Sequence, residues 1–468
     1  MKKLLLVFFS FFSIGSYTNV EAQLSEEYYF DDNFNIDKGR SIVQMIDGTI
    51  YFAGFSAAIG TNDFVLKKIN TNNQLIWSKT YVLPYQDYCF FVTAYSETEL
   101  ILIGETNNVL GNTNIRFLKV DTAGLVLVDK IYSEAGKNSS LKYLQKTTNN
   151  ELISCGYSTD DAGSNDALIV RFDANGDTIW TRRYGISGKN EYADMILELD
   201  NGDFVFSEDV AASPTNVDIA LTKIDNEGTL IWQKKYETPI AEGCQALVKD
   251  ESGFTIVGEG FPSITLPYQF LIMKTDSEGN LISRFDFGNS TKSDAVFSVL
   301  NTADKGLILT GYSNSYRPGP VGVFVLKLDS NNQIINPQTF GGSGIGIGYQ
   351  IIENKIDGGY IVAGSSNIGT HDDFILIKIT ANEYPNAIEE NNTNLQLQVY
   401  PNPANTVLYL KSNLKINKIY IKDAVGKTVY NTTQVDDKLT INFLENGIYF
   451  ITIANHLTQA TTKFIVQR

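Results

Sequence analysis

Seven segments of this chain repeat one another at a nearly constant spacing, and no other feature constrains the fold as strongly. Phe64-Val-Leu-Lys-Lys68-Ile-Asn70 returns as Arg116-Phe-Leu-Lys119-Val-Asp121, Leu168-Ile-Val-Arg171-Phe-Asp173 and Ala220-Leu-Thr-Lys223-Ile-Asp225. It returns again as Leu271-Ile-Met-Lys274-Thr-Asp276, Phe324-Val-Leu-Lys327-Leu-Asp329 and Ile375-Leu-Ile-Lys378-Ile-Thr380. The steps between copies are 51, 52, 52, 51, 53 and 51 residues. A period in this range marks solenoids and propellers. Within each unit, short runs of Val, Ile, Leu and aromatics are bounded by Asn, Asp and Gly, the signature of strands and hairpins. Four strands fit one unit. Examples are Ala193–Leu199, Tyr360–Gly364, the repeated segment itself, and Thr229–Gln233 after the turn Asp225–Gly228. No stretch of the repeats carries a 3.6-residue amphipathic pattern. The expectation is an all-β chain, a seven-bladed β-propeller.

One such sheet alone leaves an apolar face bare, so neighbours must cover each other. The last copy stops at Thr380 without a fourth strand, while Glu27-Tyr28-Tyr29-Phe30 resembles the strand ends Lys79-Thr-Tyr81 and Arg183-Tyr184. Residues near 26–31 are therefore expected to complete the last blade and remove an exposed edge. An open solenoid is the alternative; it would want polar caps, and none is visible.

Composition narrows the partners. With 37 Lys and Arg against 53 Asp and Glu, the formal net charge is −16, which argues against nucleic acid or an anionic membrane as the main partner. Cys89, Cys155 and Cys244 cannot form a disulfide framework. Lys2 and Lys3 precede the apolar run Leu4–Ile14, and Val20-Glu21-Ala22 offers small residues before Gln23. This is the layout of a secretory signal peptide over residues 1–22, with cleavage between Ala22 and Gln23. The run is too short to span a bilayer. No other stretch could do so, and no transmembrane segment is expected.

Three of the six complete copies end in Trp: Trp77, Trp180 and Trp232. The string Asp225…Gly228…Trp232 resembles the docking motif of pyrroloquinoline-quinone propellers. Those enzymes use adjacent cysteines at the cofactor, and here the cysteines lie far apart. The likeness implies blade packing only, with Trp as an inter-blade plug, and no cofactor is expected.

After the propeller, residues 23–383, the segment 384–394 is polar and reads as a linker. Seven short strands follow within 395–468: Leu395–Val399, Val407–Lys411, Ile416–Lys422, Thr428–Thr432, Lys438–Phe443, Ile448–Ala454 and Thr461–Val466. They suggest a small Ig-like β-sandwich. Tyr400-Pro401-Asn402-Pro403-Ala404, then Asp423-Ala-Val-Gly426-Lys427, then Glu445-Asn-Gly447-Ile-Tyr449-Phe occur in that order. These motifs resemble the C-terminal sorting domain of the type IX secretion system of Bacteroidetes. The resemblance implies recognition by an outer-membrane translocon, removal of the tail, and release or attachment at the cell surface. Pro401 and Pro403 are expected to fix an extended opening strand, and Gly426 and Gly447 to permit tight turns.

Catalytic and metal signatures in the sequence are incomplete. The two histidines, His371 and His456, give a triad at most one base on the propeller. No Gly-x-Ser-x-Gly elbow occurs. Asp160-Asp161, Asp372-Asp373 and Asp173–Asp177 lack the full calcium loop and read as turns. Gly341–Gly348 has the wrong spacing for a phosphate loop. The Lys or Arg of every third strand recurs in all copies, so it reads as structural. No catalytic residue and no metal site is assigned. What remains is the face carrying the variable loops. There, Tyr85, Asp87, Phe261, Tyr268, Tyr316 and Arg317 combine aromatic and polar side chains in the usual manner of ligand contacts. The function that fits best is a secreted or surface-displayed protein binding a glycan or protein. A polysaccharide hydrolase or lyase built on carboxylates, or a purely structural surface component, are the alternatives.

Overall fold

The computed structural model describes residues 25–31, 37–57, 61–213, 216–239, 241–260, 267–288, 291–316, 320–342, 344–367, 371–381, 397–412, 418–423, 427–432, 438–454 and 459–468. The expected cleavage site, Ala22 and Gln23, and the side chains of Phe261, Arg317, Gly426 and His456 lie outside these residues. The described residues fall into two compact units on either side of 382–396. Both are all-β, and among the described residues no helix is long and apolar enough to cross a membrane.

The larger unit is propeller-like, with seven four-stranded antiparallel sheets. Six of them take their strands in sequence order. Their first strands are Asp37–Gln44, Asp87–Ala94, Ser139–Lys146, Glu191–Glu198, Glu242–Lys249 and Asp294–Asn301. The seventh has three strands in sequence, Gly346–Glu353, Tyr360–Asn367 and Asp372–Ile379, and takes its fourth from the far end of the chain. Ser25–Phe30 pairs antiparallel with Asp372–Ile379, from Ser25 opposite Ile379 to Phe30 opposite Phe374. The outer-strand likeness of Glu27–Phe30 thus has a structural counterpart, since Phe30 opposite Phe374 matches Tyr81 opposite Phe64.

Packing between sheets explains why none could stand alone. Apolar clusters join the first sheet to the second, the second to the third, and so on to the seventh. A further cluster joins the seventh back to the first through Phe30, Ile42, Phe52, Ile361 and Phe374. Polar contacts reinforce this last junction. Gln350 Oε1 accepts from Ser41 Oγ (2.8 Å) and Ile42 N (2.7 Å), and Gln44 Nε2 donates to Asn354 Oδ1 (2.9 Å).

The repeated polar residues act between sheets as well. The turn between third and fourth strands is held by its first Asp. Asp225 Oδ1 accepts from Glu227 N (2.9 Å) and Thr229 N (2.7 Å), while Gly228 takes φ +81°. The preceding sheet then grips that turn. Tyr184 donates its hydroxyl to Gly228 O (2.6 Å), Tyr236 to Gly279 O (2.8 Å) and Tyr81 to Gly124 O (3.2 Å). At the junction of seventh and first sheets, Asn73 Nδ2 donates to Tyr28 Oη of the completing strand (2.7 Å). Trp77, Trp180 and Trp232 lie against Gly124, Gly228 and Gly279 of the next sheet, as plugs between sheets would. The recurring cations have the same structural role. Lys68, Lys119 and Arg171 donate to Thr122 O, Ala174 O and Asn226 O of the following sheet. Lys119, Arg171, Lys223 and Lys327 also pair with Glu99, Glu151, Asp203 and Asp304.

The tail forms two sheets around one apolar core. One contains Leu397–Tyr400, Val407–Ser412 and Lys438–Thr440; the other contains Thr428–Thr432, Lys418–Asp423, Gly447–Ala454 and Gln459–Val466. Two expectations need correction. Pro401 and Pro403 follow the opening strand instead of forming it, because a proline nitrogen cannot donate to the ladder. Between them, Asn402 Oδ1 accepts from Ile465 N (2.9 Å), tying the bend to the last strand. Gly447 opens a strand and is not a left-handed turn residue. Tyr449 is buried, stacks on Phe464 and donates to Glu445 O (3.1 Å).

Two consequences are measurable. Phe30→Ala should lower the stability of the larger unit by about 3 kcal/mol in urea unfolding; no change would mean that the completing strand does not dock in solution. Glu208 is wholly buried, accepts from Thr222 and from Gln233 Nε2 (2.6 Å), and burial raises its carboxyl from 4.5 to about 7. A raised folded-state value makes its contribution full at pH below about 4.5 and lost as pH rises through about 7. Glu208→Gln should therefore lessen the loss of stability between pH 5 and 8 by on the order of 3 kcal/mol, read from urea midpoints at both pH values. An identical pH dependence in the variant would contradict this.

Candidate functional site: the axial channel

Every first strand carries a bulge at the same place. The pairing with the second strand slips between Gly39 and Ser41, Cys89 and Phe91, Leu141 and Tyr143, and Ala193 and Met195. It slips again between Cys244 and Ala246, Val296 and Ser298, and Gly348 and Gln350. The extra residues are Arg40, Phe90, Lys142, Asp194, Gln245, Phe297 and Tyr349. A bulge re-aims the side chain of its unpaired residue, and here all seven line one cavity of ≈ 380 Å³. An adjoining cavity of ≈ 450 Å³ shares Met195, Val299 and Leu300 with it, so an axial space runs along the inner strands. The second strands explain how the bulge is accommodated. Six of the seven carry Gly opposite it. A Cβ at Gly54, Gly104, Gly156, Gly258, Gly311 or Gly364 would meet a first-strand carbonyl oxygen at 1.9–2.1 Å.

The channel wall is chemically uneven. On one side the Arg40 guanidinium lies 4.0 Å from the Tyr349 ring centre and 5.6 Å from that of Phe55, a cation–π arrangement. Phe297 continues the aromatic wall, 5.5 Å from Tyr349. Carboxyl groups gather at the third to fifth sheets. Lys142 Nζ lies 2.7 Å from Asp194 Oδ1, and Cys244 donates Sγ–H to Asp194 Oδ2 (3.4 Å) and N–H to Asp209 Oδ1 (2.8 Å). Gln245 Nε2 donates to Glu259 Oε1 (3.3 Å). Burial, with the charge of Asp194 nearby, pushes the Asp209 carboxyl well above its usual value and that of Glu259 to about 7. Burial likewise raises the Cys244 thiol, an inert small core residue like Cys89 and Cys155.

The loops named from sequence sit at one face of the sheets. Backbone bonds join the loops between second and third strands to those between sheets, as from Asn107 N to Gln86 O and from Thr159 N to Asn138 O (2.9 and 2.8 Å). Tyr85 and Tyr268 are 39 % and 38 % exposed there. Tyr316 is half-buried and stacks on Phe324, 5.2 Å between centres. Asp87 does not fit the pattern of an exposed contact. It is fully buried, and its Oδ2 lies 2.9 Å from Nη1 of the equally buried Arg116. The reason is register: Asp87 is the first residue of a strand, not the last of a loop. The channel residues escaped the sequence reading. Their signal was a column of the repeat in which only Phe recurs, beside a column of small or aliphatic residues.

The tail supplies the class to which this chain is assigned. Residues 398–467 match the family of secretion system C-terminal sorting domains. The chain thus carries a type IX C-terminal sorting domain behind a propeller-like repeat unit, and it is a secreted or cell-surface protein. No curated relative matches it. Among solved structures it is similar to virginiamycin B lyase from Staphylococcus aureus. The two share 15 % identity with a TM-score of 0.47, covering 76 % of this chain and 99 % of that one. It is similar also to the β-propeller domain of the trilobed protease from Pyrococcus furiosus, at 11 % identity with a TM-score of 0.42, covering 78 % and 98 %. PorZ, a surface component of the type IX system of Porphyromonas gingivalis, matches at 10 % identity with a TM-score of 0.29, covering 92 % and 81 %.

Proposed function

We propose that this chain is a closed seven-bladed β-propeller with an Ig-like sorting tail, exported by the type IX machinery after removal of a signal peptide over residues 1–22. The propeller spans 23–383, the linker 384–394 and the tail 395–468. Its function is binding, and its ligand is a glycan or a protein held at the mouth of the axial channel. One observation carries this reading: seven side chains at one repeated backbone position are aimed into one cavity, and only Phe recurs among them. Packing residues in the same strands stay within a narrow range of types, as a repeat fold demands. Freedom to vary at an inward-facing position is what a binding site needs.

Within that range a glycan suits the wall better than a flat protein surface. The half-buried rings of Phe297 and Tyr349 offer apolar faces for sugar rings. Lys142–Asp194 and Gln245–Glu259 offer paired donors and acceptors for hydroxyl groups. The exposed Tyr85 and Tyr268 extend the surface outward at the loop face. On a panel of surface glycans, the double variant Phe297→Ala, Tyr349→Ala should lose at least roughly tenfold in affinity for any glycan bound by the parent. Unchanged affinity would place the site elsewhere.

A second reading rests on Glu259. Its carboxyl, raised to about 7 by burial with the Asp194 charge nearby, accepts from the channel residue Gln245, and perturbed acids are candidates for catalysis. It predicts turnover of an acidic or neutral polysaccharide, abolished by Glu259→Gln. Binding without turnover in the parent protein would leave the binding reading alone.

A further inference from the structure

The start of each first strand meets the preceding sheet, and acidic residues collect there. Most are answered from within the protein. Asp87 has Arg116 at 2.9 Å, Glu242 is paired with Arg284, and Asp294 accepts from Ser313 Oγ at 2.5 Å. At the junction of the seventh and first sheets three carboxyl groups come together. Asp37 opens the first strand of the first sheet, Asp373 belongs to the third strand of the seventh, and Asp31 directly follows the completing strand Ser25–Phe30. One carboxylate oxygen from each can be chosen so that all three lie within 4.8 Å of one another. Asp37 is fully buried and Asp373 is 9 % exposed. The Oδ1 atom of Asp373 is buried without a hydrogen-bond partner. The adjacent cation, Lys38, pairs with Asp372 instead, at 2.8 Å. Burial above all, then the charges of Asp31 and Asp37, raises the Asp373 carboxyl to about 6.

We propose that Asp31, Asp37 and Asp373 bind a calcium ion that fastens the completing strand to the first and seventh sheets. Three carboxylates and no nitrogen or sulfur make a hard-cation donor set. Oxygens that share one calcium ion at about 2.4 Å lie at most about 4.8 Å apart, and the three chosen here stay within that limit. The exposed Asp31 gives the ion an entry path and leaves room for water ligands. The group Asp194, Asp209 and Cys244 is comparably compact. It includes a thiol, a soft donor, and the Lys142 ammonium already stands 2.7 Å from Asp194 Oδ1, so it is not a hard-cation donor set.

The ion would join three segments that lie far apart in sequence, at the junction where the chain's two ends of the repeat meet. The test uses the full mature chain stripped of metal by a chelator. Adding about 10 mM calcium should raise the thermal midpoint by ~2–4 °C, for a site of millimolar affinity or better. Titration calorimetry should give binding near one ion per chain. Asp373→Asn and the exposed Asp31→Asn should each weaken that binding at least roughly tenfold. Asp161→Asn, at a fully solvated acidic turn, should leave it intact. Absence of both heat and midpoint shift in the parent chain would overturn the proposal, as would a calcium response unchanged in both Asp31→Asn and Asp373→Asn.

Discussion

The structure of the repeat unit depends on apolar packing between sheets. A four-stranded sheet of alternating Val, Ile, Leu and Phe has two faces to cover, and each face here is covered by the next sheet in order. Such a stack stays frayed at its ends unless the last sheet meets the first. The cluster of Phe30, Ile42, Phe52 and Phe374 supplies that meeting. At roughly 1.5–3 kcal/mol per large buried side chain, a handful of residues at this junction holds stabilisation comparable with the whole net stability of an ordinary domain. The hydroxyls of Tyr81, Tyr184 and Tyr236, clasping the turn of the next sheet, add direction to a packing that is otherwise non-directional.

That same regularity frees one position for function. Each of the seven first strands carries a bulge, and each bulge turns one side chain into the shared cavity. The cost is a backbone brought so close that the opposing strand needs glycine in six sheets. In the fourth sheet that place is taken by Glu208, whose carboxyl burial raises to about 7. The backbone is thus specified by packing columns and glycine, while the seven axial side chains line the cavity and differ from sheet to sheet. Evolution of a new binding preference could proceed there without touching the fold, which is how repeat scaffolds separate stability from recognition.

Much of this was legible in the sequence. The period, the four strands per unit, the seven tail strands and the completing strand followed from alternation and turn residues, because those signals are local. Glu27–Phe30 could be placed because the outer strand that it replaces recurs elsewhere as Lys79–Tyr81 and Arg183–Tyr184. The axial site was not legible by the same route. A bulge shifts the inside–outside alternation by one residue, so Asp194 or Phe297 falls out of phase with its own strand. Asp87 misled for a related reason: its burial depends on Arg116, which lies on the third strand of the same sheet and is far away in sequence. In the tail, Pro401 and Pro403 suggested an extended strand, whereas their missing donors end one.

The central claim is that residues 25–30 are the fourth strand of the last sheet. Hydrogen–deuterium exchange on the mature protein tests it most directly. If the account holds, amides of Ser25–Phe30 exchange as slowly as those of the other outer strands and together with 374–379. Exchange of that segment at the rate of a free peptide, with 374–379 still protected, would contradict it.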